Sequence, residues 1–337
     1  MSNLFDVDNI YNKITHTLNH KYPYRIIYRG LFPRFIRKKI ENNLDYNKQE
    51  IIYNSWRVLY NLYSSNNLEK FEISPHKKEL IGKKIIWQYW GQTTKFIDLP
   101  EVVQISFNSV EKHKGDYTVI RLSDQNINEY IEFPDFIYEK RKNGHFRYVF
   151  FSDLLRLALL KNYGGIWIDA TVLITSPIPD ELKKQDYFMF YRDEDSPYKN
   201  KWGKYNSYFS YSSKQKVKCL SSFMISKPEN ETITIFLDLL LYFWRTQEKI
   251  PHYFFSQILF EYIISHHEPT QKMLRIDDAL PHLLQNKIYD KFNKDDFIEI
   301  TRLSSIHKLT YIKKYKENSY FSYLKKEFLN NNELPKP

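Results

Sequence analysis

The sequence predicts an α/β fold, in which helices flank a mostly parallel central sheet and a helical appendage precedes the main domain. Three short apolar runs rich in β-forming residues support this prediction, at residues 84–89, 117–122 and 166–174. Segments with helical character separate these runs. The links between the segments are short. Strand and helix alternating with short links is typical of a largely parallel sheet.

The predicted elements follow one another in a simple order. Residues 1–80 form the helical N-terminal appendage, residues 81–330 the main domain and residues 331–337 a polar tail. The appendage contains a predicted helix over 48–68. In the main domain the predicted helices cover residues 101–112, 136–142, 153–162, 232–249 and 253–266. A late strand is predicted over 297–303.

Composition excludes several classes of protein. The 337 residues include one cysteine, Cys219, which excludes an intramolecular disulfide framework and a cysteine-based zinc site. Only 8 glycines are present, and they form neither a dinucleotide-binding nor a P-loop pattern. No apolar run approaches the length of a membrane-spanning helix. The first residues lack a signal-peptide pattern, so we expect a cytoplasmic protein.

Positive charge is concentrated near the N terminus. The chain has a formal net charge of +10, which favours an anionic partner. Residues 21–40 contain no acidic residue and seven basic ones interleaved with apolar and aromatic residues, namely Lys21, Arg25, Arg29, Arg34, Arg37, Lys38 and Lys39. This mixture predicts a segment that lies on an anionic membrane. The alternative is a solvated basic face over a helical core contact. No nucleic-acid-binding signature is present, so nucleic acid is not an expected partner.

Three charged residues in the stretch 151–175 are the best candidates for chemistry. Ser152 is a suitable N-cap for the helix predicted at 153–162, on which Asp153 and Arg156 lie one turn apart. Asp169 is the only carboxylate in an apolar strand, where an unpaired charge is costly. Thr171 is expected on the same side of that strand. Each charged residue also has a purely structural explanation. Asp153 could be a helix-dipole residue with Arg156 as its surface partner, and Asp169 could be a turn residue at a strand end.

The order of these residues carries a resemblance to a known family. The pattern S-D-x-x-R-x-x-x-L-x-x-x-G-G-x-W-x-D-x-T, from Ser152 to Thr171, resembles the capsular polysaccharide synthesis glycosyltransferases. That family is similar to the wider group of sugar transferases with a DxD motif and a GT-A, Rossmann-like fold. The run I-W-Q-Y-W at residues 86–90 resembles the first strand of the family. The resemblance covers residues 87–178, persists at 251–254 and 306–309, and does not extend to residues 1–80.

The resemblance implies roles for residues that bind the donor. The end of the first strand, with Trp87, Gln88 and Trp90, would hold the nucleotide base, and Trp87 would stack on it. Gly164 and Gly165, which permit a tight reversal and a close backbone approach, would also lie at the donor.

The resemblance also implies two catalytic residues and a metal site. Asp153 would bind donor hydroxyls, and Arg156 would contact the sugar or its phosphates. Asp169 would hold a divalent cation, Mn²⁺ or Mg²⁺, on the donor diphosphate. The second acidic position of the motif is Thr171, a weaker, neutral ligand. A third ligand is expected from His307, with Lys308 beside it neutralising the phosphates. The alternative for His307 is a lone histidine with a structural role.

The activity implied by the resemblance is glycosyl transfer. The donor would be a nucleotide sugar, with a UDP-sugar favoured, and the anomeric configuration would be retained. The acceptor would be a saccharide or a polyprenyl-diphosphate-linked precursor of a surface polysaccharide, met at the inner face of the plasma membrane. Two other functions stay open: a metal-dependent phosphotransferase or hydrolase that uses Asp153 and Asp169, and a catalytically silent protein that binds carbohydrate or membrane.

Overall fold

The computed structural model of the chain describes residues 4–5, 11–144, 146–199, 208, 210–267 and 273–330. The polar tail predicted at 331–337 lies outside the described residues. The strands are β1 (Ile85–Tyr89), β2 (Thr118–Leu122), β3 (Gly165–Ile168), β4 (Val172–Ile174), β5 (Tyr187–Tyr191), β6 (Cys219–Ser226) and β7 (Ile306–Lys308). The helices are α1 (Tyr11–His20), α2 (Tyr24–Leu31), α3 (Arg34–Ser64), α4 (Glu101–His113), α5 (Asp135–Lys142), α6 (Tyr148–Tyr163), α7 (Asp180–Lys183), α8 (Glu231–Thr246), α9 (Phe255–His266), α10 (Leu283–Lys287), α11 (Lys294–Leu303) and α12 (Tyr320–Lys325).

Within the described parts of the chain, the central sheet has five strands in the order β2-β1-β3-β6-β5. Strand β1 pairs in parallel with both β2 and β3. Strand β6 is antiparallel to both of its neighbours, β3 and β5. Four of the five strands therefore run in the same direction, which confirms the predicted α/β class with a mostly parallel sheet.

Among the described residues up to 80, α1, α2 and α3 cover most of the stretch 11–64, whereas residues 4–5 and 65–77 are not helical. The helix predicted at 48–68 is the second half of α3, which begins directly after Pro33. Trp56 on α3 is fully buried, and its indole Nε1 donates a hydrogen bond to the carbonyl oxygen of Phe255 at 3.0 Å. Its ring packs against Phe243 and Phe255. The second half of α3 therefore shares the core of the main domain.

The structure corrects two predicted elements. The single strand predicted at 166–174 is broken after Ile168, and the second part, β4, pairs with β7 in a separate two-stranded sheet. The break is a turn in which Val172 N–H donates to the carbonyl oxygen of Asp169 at 2.9 Å. Residues 297–303, predicted as a late strand, belong to helix α11. Its N-cap is Asn293, whose side chain accepts from Asp296 N–H.

Helix α6 begins five residues earlier than predicted, at Tyr148. Ser152 is therefore inside the helix, and its hydroxyl donates to the carbonyl oxygen of Val149 at 2.7 Å instead of capping the helix. The aromatic residues Phe150 and Phe151 are buried in the core, which explains the extra turn.

Both faces of the sheet are covered. The apolar core on one face includes residues of α3, α6, α8 and α9, and that on the other includes residues of α4 and α7. Since β1 and β3 are parallel neighbours, their carboxyl ends meet at one edge of the sheet, which is where ligands bind in open α/β folds. No described helix is both long and apolar enough to cross a membrane.

Candidate functional site

A cleft of about 430 Å³ lies at this edge. Its walls come from the segments after β1 and β3, the first turns of α6, the loop before α9 and the segment that starts with β7. The lining includes Trp90, Tyr148, Ser152, Trp167, Asp169, Thr171, Tyr253, Lys308 and Tyr311. The cleft thus combines aromatic rings with one carboxylate and one ammonium group.

Asp169 is the central acid of the cleft and directly follows β3. Its Oδ1 accepts hydrogen bonds from Trp167 Nε1 at 2.7 Å and from Arg156 at 3.2 Å, and its Oδ2 accepts from Lys308 Nζ at 3.1 Å. The side chain is 23% exposed. Burial alone would raise the pKa of Asp169, but the two cations, Lys308 and Arg156, outweigh burial and lower it. Asp169 is therefore an anion at neutral pH.

Asp153 and Arg156 form an ion pair beneath the cleft. Their side chains are 7% and 4% exposed, and Arg156 Nη1 lies 3.0 Å from Asp153 Oδ1. Arg156 also donates to the carbonyl oxygen of Ser221, and Asp153 accepts from the hydroxyl of Ser256 at 2.6 Å. Burial raises the pKa of Asp153 and Arg156 opposes that effect. The pair does not line the cleft, which corrects the expectation that both residues contact the donor: Arg156 instead holds Asp169.

Lys308 is brought to Asp169 by the small second sheet. In that sheet Lys308 pairs with Val172, and Leu309 N–H donates to the carbonyl oxygen of Thr171. Lys308 Nζ donates both to Asp169 Oδ2 and to Thr171 Oγ1, at 3.1 and 2.8 Å. An ammonium group therefore lies between the two residues expected to bind a divalent ion.

His307 lies on the other side of β7. Neighbouring residues of a strand point to opposite faces, so His307 and Lys308 cannot both face Asp169. The ring is fully buried, and its Nε2 lies 3.2 Å from Thr175 Oγ1. Among the described residues, no group is hydrogen-bonded to its Nδ1. Burial lowers the pKa of His307 to about 3. This corrects the expectation of a third metal ligand and favours a structural histidine.

The structure also corrects the expected base-binding role of Trp87 and Gln88. Both side chains are fully buried. Trp87 Nε1 donates to the carbonyl oxygen of Gly164 at 2.9 Å, and Gln88 Oε1 accepts from Arg121. Of the three first-strand residues, Trp90 is the one that lines the cleft.

Gly164 and Gly165 lie at the opposite end of β3 from Asp169, about 13 Å away along the strand. Both have positive φ, +72° and +97°. A Cβ on Gly165 would lie 2.5 Å from the carbonyl oxygen of Ile85. The glycines therefore form the expected tight reversal from α6 into β3, and they lie away from the cleft in which a donor contact was expected.

Sequence reasoning gave no site role to several aromatic residues of the cleft, among them Trp167, Tyr253 and Tyr311. Tyr253 and Tyr311 are more than half exposed there, and the Tyr311 ring lies 5.9 Å from that of Trp90. Tyr253 lies in the stretch 251–254, where the resemblance persists, but it was given no role, and no local pattern marks Tyr311. Trp167, which bonds Asp169, had a usable signal, because residues two apart on a strand share a face.

Comparison of the sequence with known protein families gives a match. The family model described as capsular polysaccharide synthesis protein matches residues 33–326, which is most of the chain. The match starts within the first 80 residues, where the sequence itself showed no resemblance. No curated protein matches the chain.

Proposed function

The chain belongs to the capsular polysaccharide synthesis family, and we propose that it is a glycosyltransferase with a GT-A-like fold. Its donor would be a nucleotide sugar, with a UDP-sugar favoured. One observation carries the proposal: Asp169, bonded to Lys308 and Arg156, forms the floor of an aromatic-walled cleft at the carboxyl ends of parallel strands. Such an edge is where nucleotides bind in α/β folds.

The cleft offers separate groups to the two halves of a nucleotide sugar. The rings of Trp90, Tyr253 and Tyr311 present apolar faces on which a base or a sugar can stack. Lys308 is the cation of the cleft that can pair with the diphosphate, since Arg156 is buried behind Asp169. Asp169 is an anion that can accept hydrogen bonds from sugar hydroxyls.

The proposed reaction breaks the bond between the anomeric carbon and the phosphate oxygen. The electron pair leaves with the nucleoside diphosphate, whose growing charge Lys308 stabilises. The acceptor hydroxyl oxygen forms the new bond to the anomeric carbon. Its proton passes to the departing phosphate on the same face, so the configuration is retained. This route requires no strong protein base.

Assistance by Mn²⁺ or Mg²⁺ stays a prediction, and the donor set does not fit a divalent ion as it stands. Both oxygens of Asp169 and the hydroxyl of Thr171 already accept hydrogen bonds, and Lys308 lies between the two residues. His307 points elsewhere. A divalent ion would have to displace Lys308, so the proposed reaction takes the positive charge that faces the diphosphate from Lys308.

The proposed acceptor is a growing polysaccharide or a polyprenyl-diphosphate-linked oligosaccharide. An acceptor of this kind is assembled at the cytoplasmic face of a membrane, which is where we place the protein. The family assignment supports a saccharide acceptor, and the open cleft supports an extended one.

The test is release of nucleoside diphosphate from a panel of nucleotide sugars, with wild type and Asp169→Asn compared. We expect one donor to be consumed, and we expect Asp169→Asn to lower turnover by about 10²–10³ because the variant loses the charge at the cleft floor. Asp180→Asn is the matched control, since Asp180 is an exposed carboxylate paired with Lys183 on α7.

The products separate the alternatives. Release of inorganic phosphate would indicate a phosphotransferase or hydrolase, and binding without turnover would indicate a silent carbohydrate-binding protein. Either result, or equal turnover of Asp169→Asn and Asp180→Asn, would contradict the proposal.

A further inference from the structure

We propose that residues 21–39 form a membrane-docking surface that binds anionic lipid. This docking surface consists of the approach to α2, helix α2 itself and the first turns of α3. Its role at a lipid-linked acceptor rests on the proposed function, but the lipid binding itself does not.

Exposed apolar side chains are concentrated on the docking surface. Of the 21 exposed large hydrophobic side chains among the described residues, seven lie between residues 22 and 35. The most exposed of these seven are Tyr22, Leu31 and Phe35, at 80%, 75% and 73%. A soluble monomer normally scatters such residues singly, so a concentration in fourteen residues marks a binding surface.

The apolar exposure belongs to a folded element. Tyr28 of α2 is buried, and its hydroxyl donates to the carbonyl oxygen of Arg37 at 3.2 Å and to Glu41 at 3.3 Å on α3. The Tyr28 and Phe32 rings also lie 5.9 Å apart. One side of α2 thus packs on α3, and Ile26, Ile27 and Leu31 stay exposed.

The positive charge of the docking surface favours an anionic lipid as its partner. The docking surface carries seven basic residues and no acidic one, and five of the seven are exposed. Apolar side chains beside long cationic ones are the composition of helices that lie in the interface of anionic bilayers, where the apolar groups enter the acyl boundary and the cations meet the headgroups. An acidic protein could pair with the basic residues. It would also need an apolar groove that matches the exposed apolar side chains, which a bilayer does not.

Helix α3 connects the docking surface to the cleft. Asp45 lies on α3, six residues beyond the end of the docking surface at Lys39, and its Oδ1 is 3.0 Å from His252 Nε2. The next residue, Tyr253, lines the cleft. A membrane bound at the docking surface would therefore hold the cleft at a fixed place relative to the lipid, as a lipid-linked acceptor requires.

The test is sedimentation of the full chain with vesicles of phosphatidylcholine alone or with added phosphatidylglycerol. We expect the protein to bind only the vesicles that contain phosphatidylglycerol, and we expect this binding to weaken as the salt concentration rises. The charge variant replaces four exposed basic residues of the docking surface: Arg25→Gln, Arg29→Gln, Arg34→Gln and Lys39→Gln. The apolar variant carries Ile26→Ser, Leu31→Ser and Phe35→Ser. Each should lower the partition coefficient at least about tenfold.

Matched controls remove the same charge elsewhere on the surface. The control variant carries Lys78→Gln, Lys83→Gln, Lys142→Gln and Lys294→Gln, four exposed lysines outside the docking surface. It should sediment like wild type. A melting curve for each variant checks that the fold is intact, and sugar transfer to a soluble acceptor should be unchanged.

Three outcomes would overturn the docking surface: wild type that stays in the supernatant with anionic vesicles, equal losses in the docking and control variants, or retention by an acidic polypeptide without vesicle binding. None of these results bears on donor turnover, so a failure here is distinct from a failure of the proposed function.

Discussion

Replacing Arg156 by methionine tests whether this residue holds Asp169 or contacts the donor. Met preserves most of the volume of the side chain and removes its charge. Arg156 bonds two carboxylates, Asp153 and Asp169, while being 4% exposed. Removing one partner of a buried ion pair typically costs about 3–5 kcal/mol, because the other charge is left unpaired. We expect the lower end of that range, since Asp169 keeps its bonds to Trp167 and Lys308.

The free energy of unfolding can be measured by urea denaturation at neutral pH. The matched control is Lys183→Met, which breaks a pair with the same spacing on the surface of α7 and should cost less than about 0.5 kcal/mol. Arg156→Lys should recover only part of the loss, because an ammonium group does not reproduce the guanidinium fork that joins two carboxylates.

A second variant separates charge from packing. Adding Asp153→Asn to Arg156→Met removes the unpaired buried charge, so the double variant should be more stable than the single one. The reasoning would be refuted if Arg156→Met lost no more stability than Lys183→Met. Unchanged stability together with turnover lowered about 10²–10³ would return Arg156 to the donor-binding role that the sequence predicted.

Two further predictions concern the residues of β7. Because Lys308 Nζ lies between Asp169 and Thr171, Lys308→Met should bind Mn²⁺ at least about tenfold more tightly than wild type in a calorimetric titration, and equal affinities would contradict the arrangement. For His307, burial lowers the folded-state pKa to about 3 from an ordinary value of 6.5, so its contribution to stability is full above pH 6.5 and is lost as pH falls toward 3. The stability advantage of wild type over His307→Gln should therefore shrink below pH 6.5, by up to about 1.4 kcal/mol per pH unit, whereas a constant difference in urea unfolding from pH 7 to 4.5 would contradict a buried neutral histidine.

The sequence could predict a special environment for Asp169 because the physical argument depends only on neighbouring residues. A single carboxylate in an apolar strand needs cations or a strand end, and the structure supplies both. The role of Arg156, by contrast, could not be predicted from neighbouring residues. A spacing of one turn shows that Asp153 and Arg156 meet, but not whether they face solvent or the core, and the packing of α6 against the sheet decides that they are buried.

The two alternatives for His307 can be separated once residues 306–308 are known to form a strand. Strand alternation places two successive residues on opposite faces, so one strand cannot deliver both His307 and Lys308 to one site. The same rule applies to Trp87, which lies in the middle of β1 and alternates with Ile86 into opposite cores. By contrast, no periodicity predicts that Lys308 meets Thr171, because that contact depends on the pairing of β4 and β7 across 137 residues.

The charges around Asp169 differ in how easily they can move. Arg156 is fixed by Asp153 and by the carbonyl oxygen of Ser221, and both contacts lie below the cleft. Lys308 is bonded to Asp169 and Thr171 on the open side, where its side chain is partly exposed. If a diphosphate enters, Lys308 is therefore the group that can exchange partners. Its departure would free Asp169 Oδ2 for a sugar hydroxyl, while Arg156 would keep the carboxylate charged and in place.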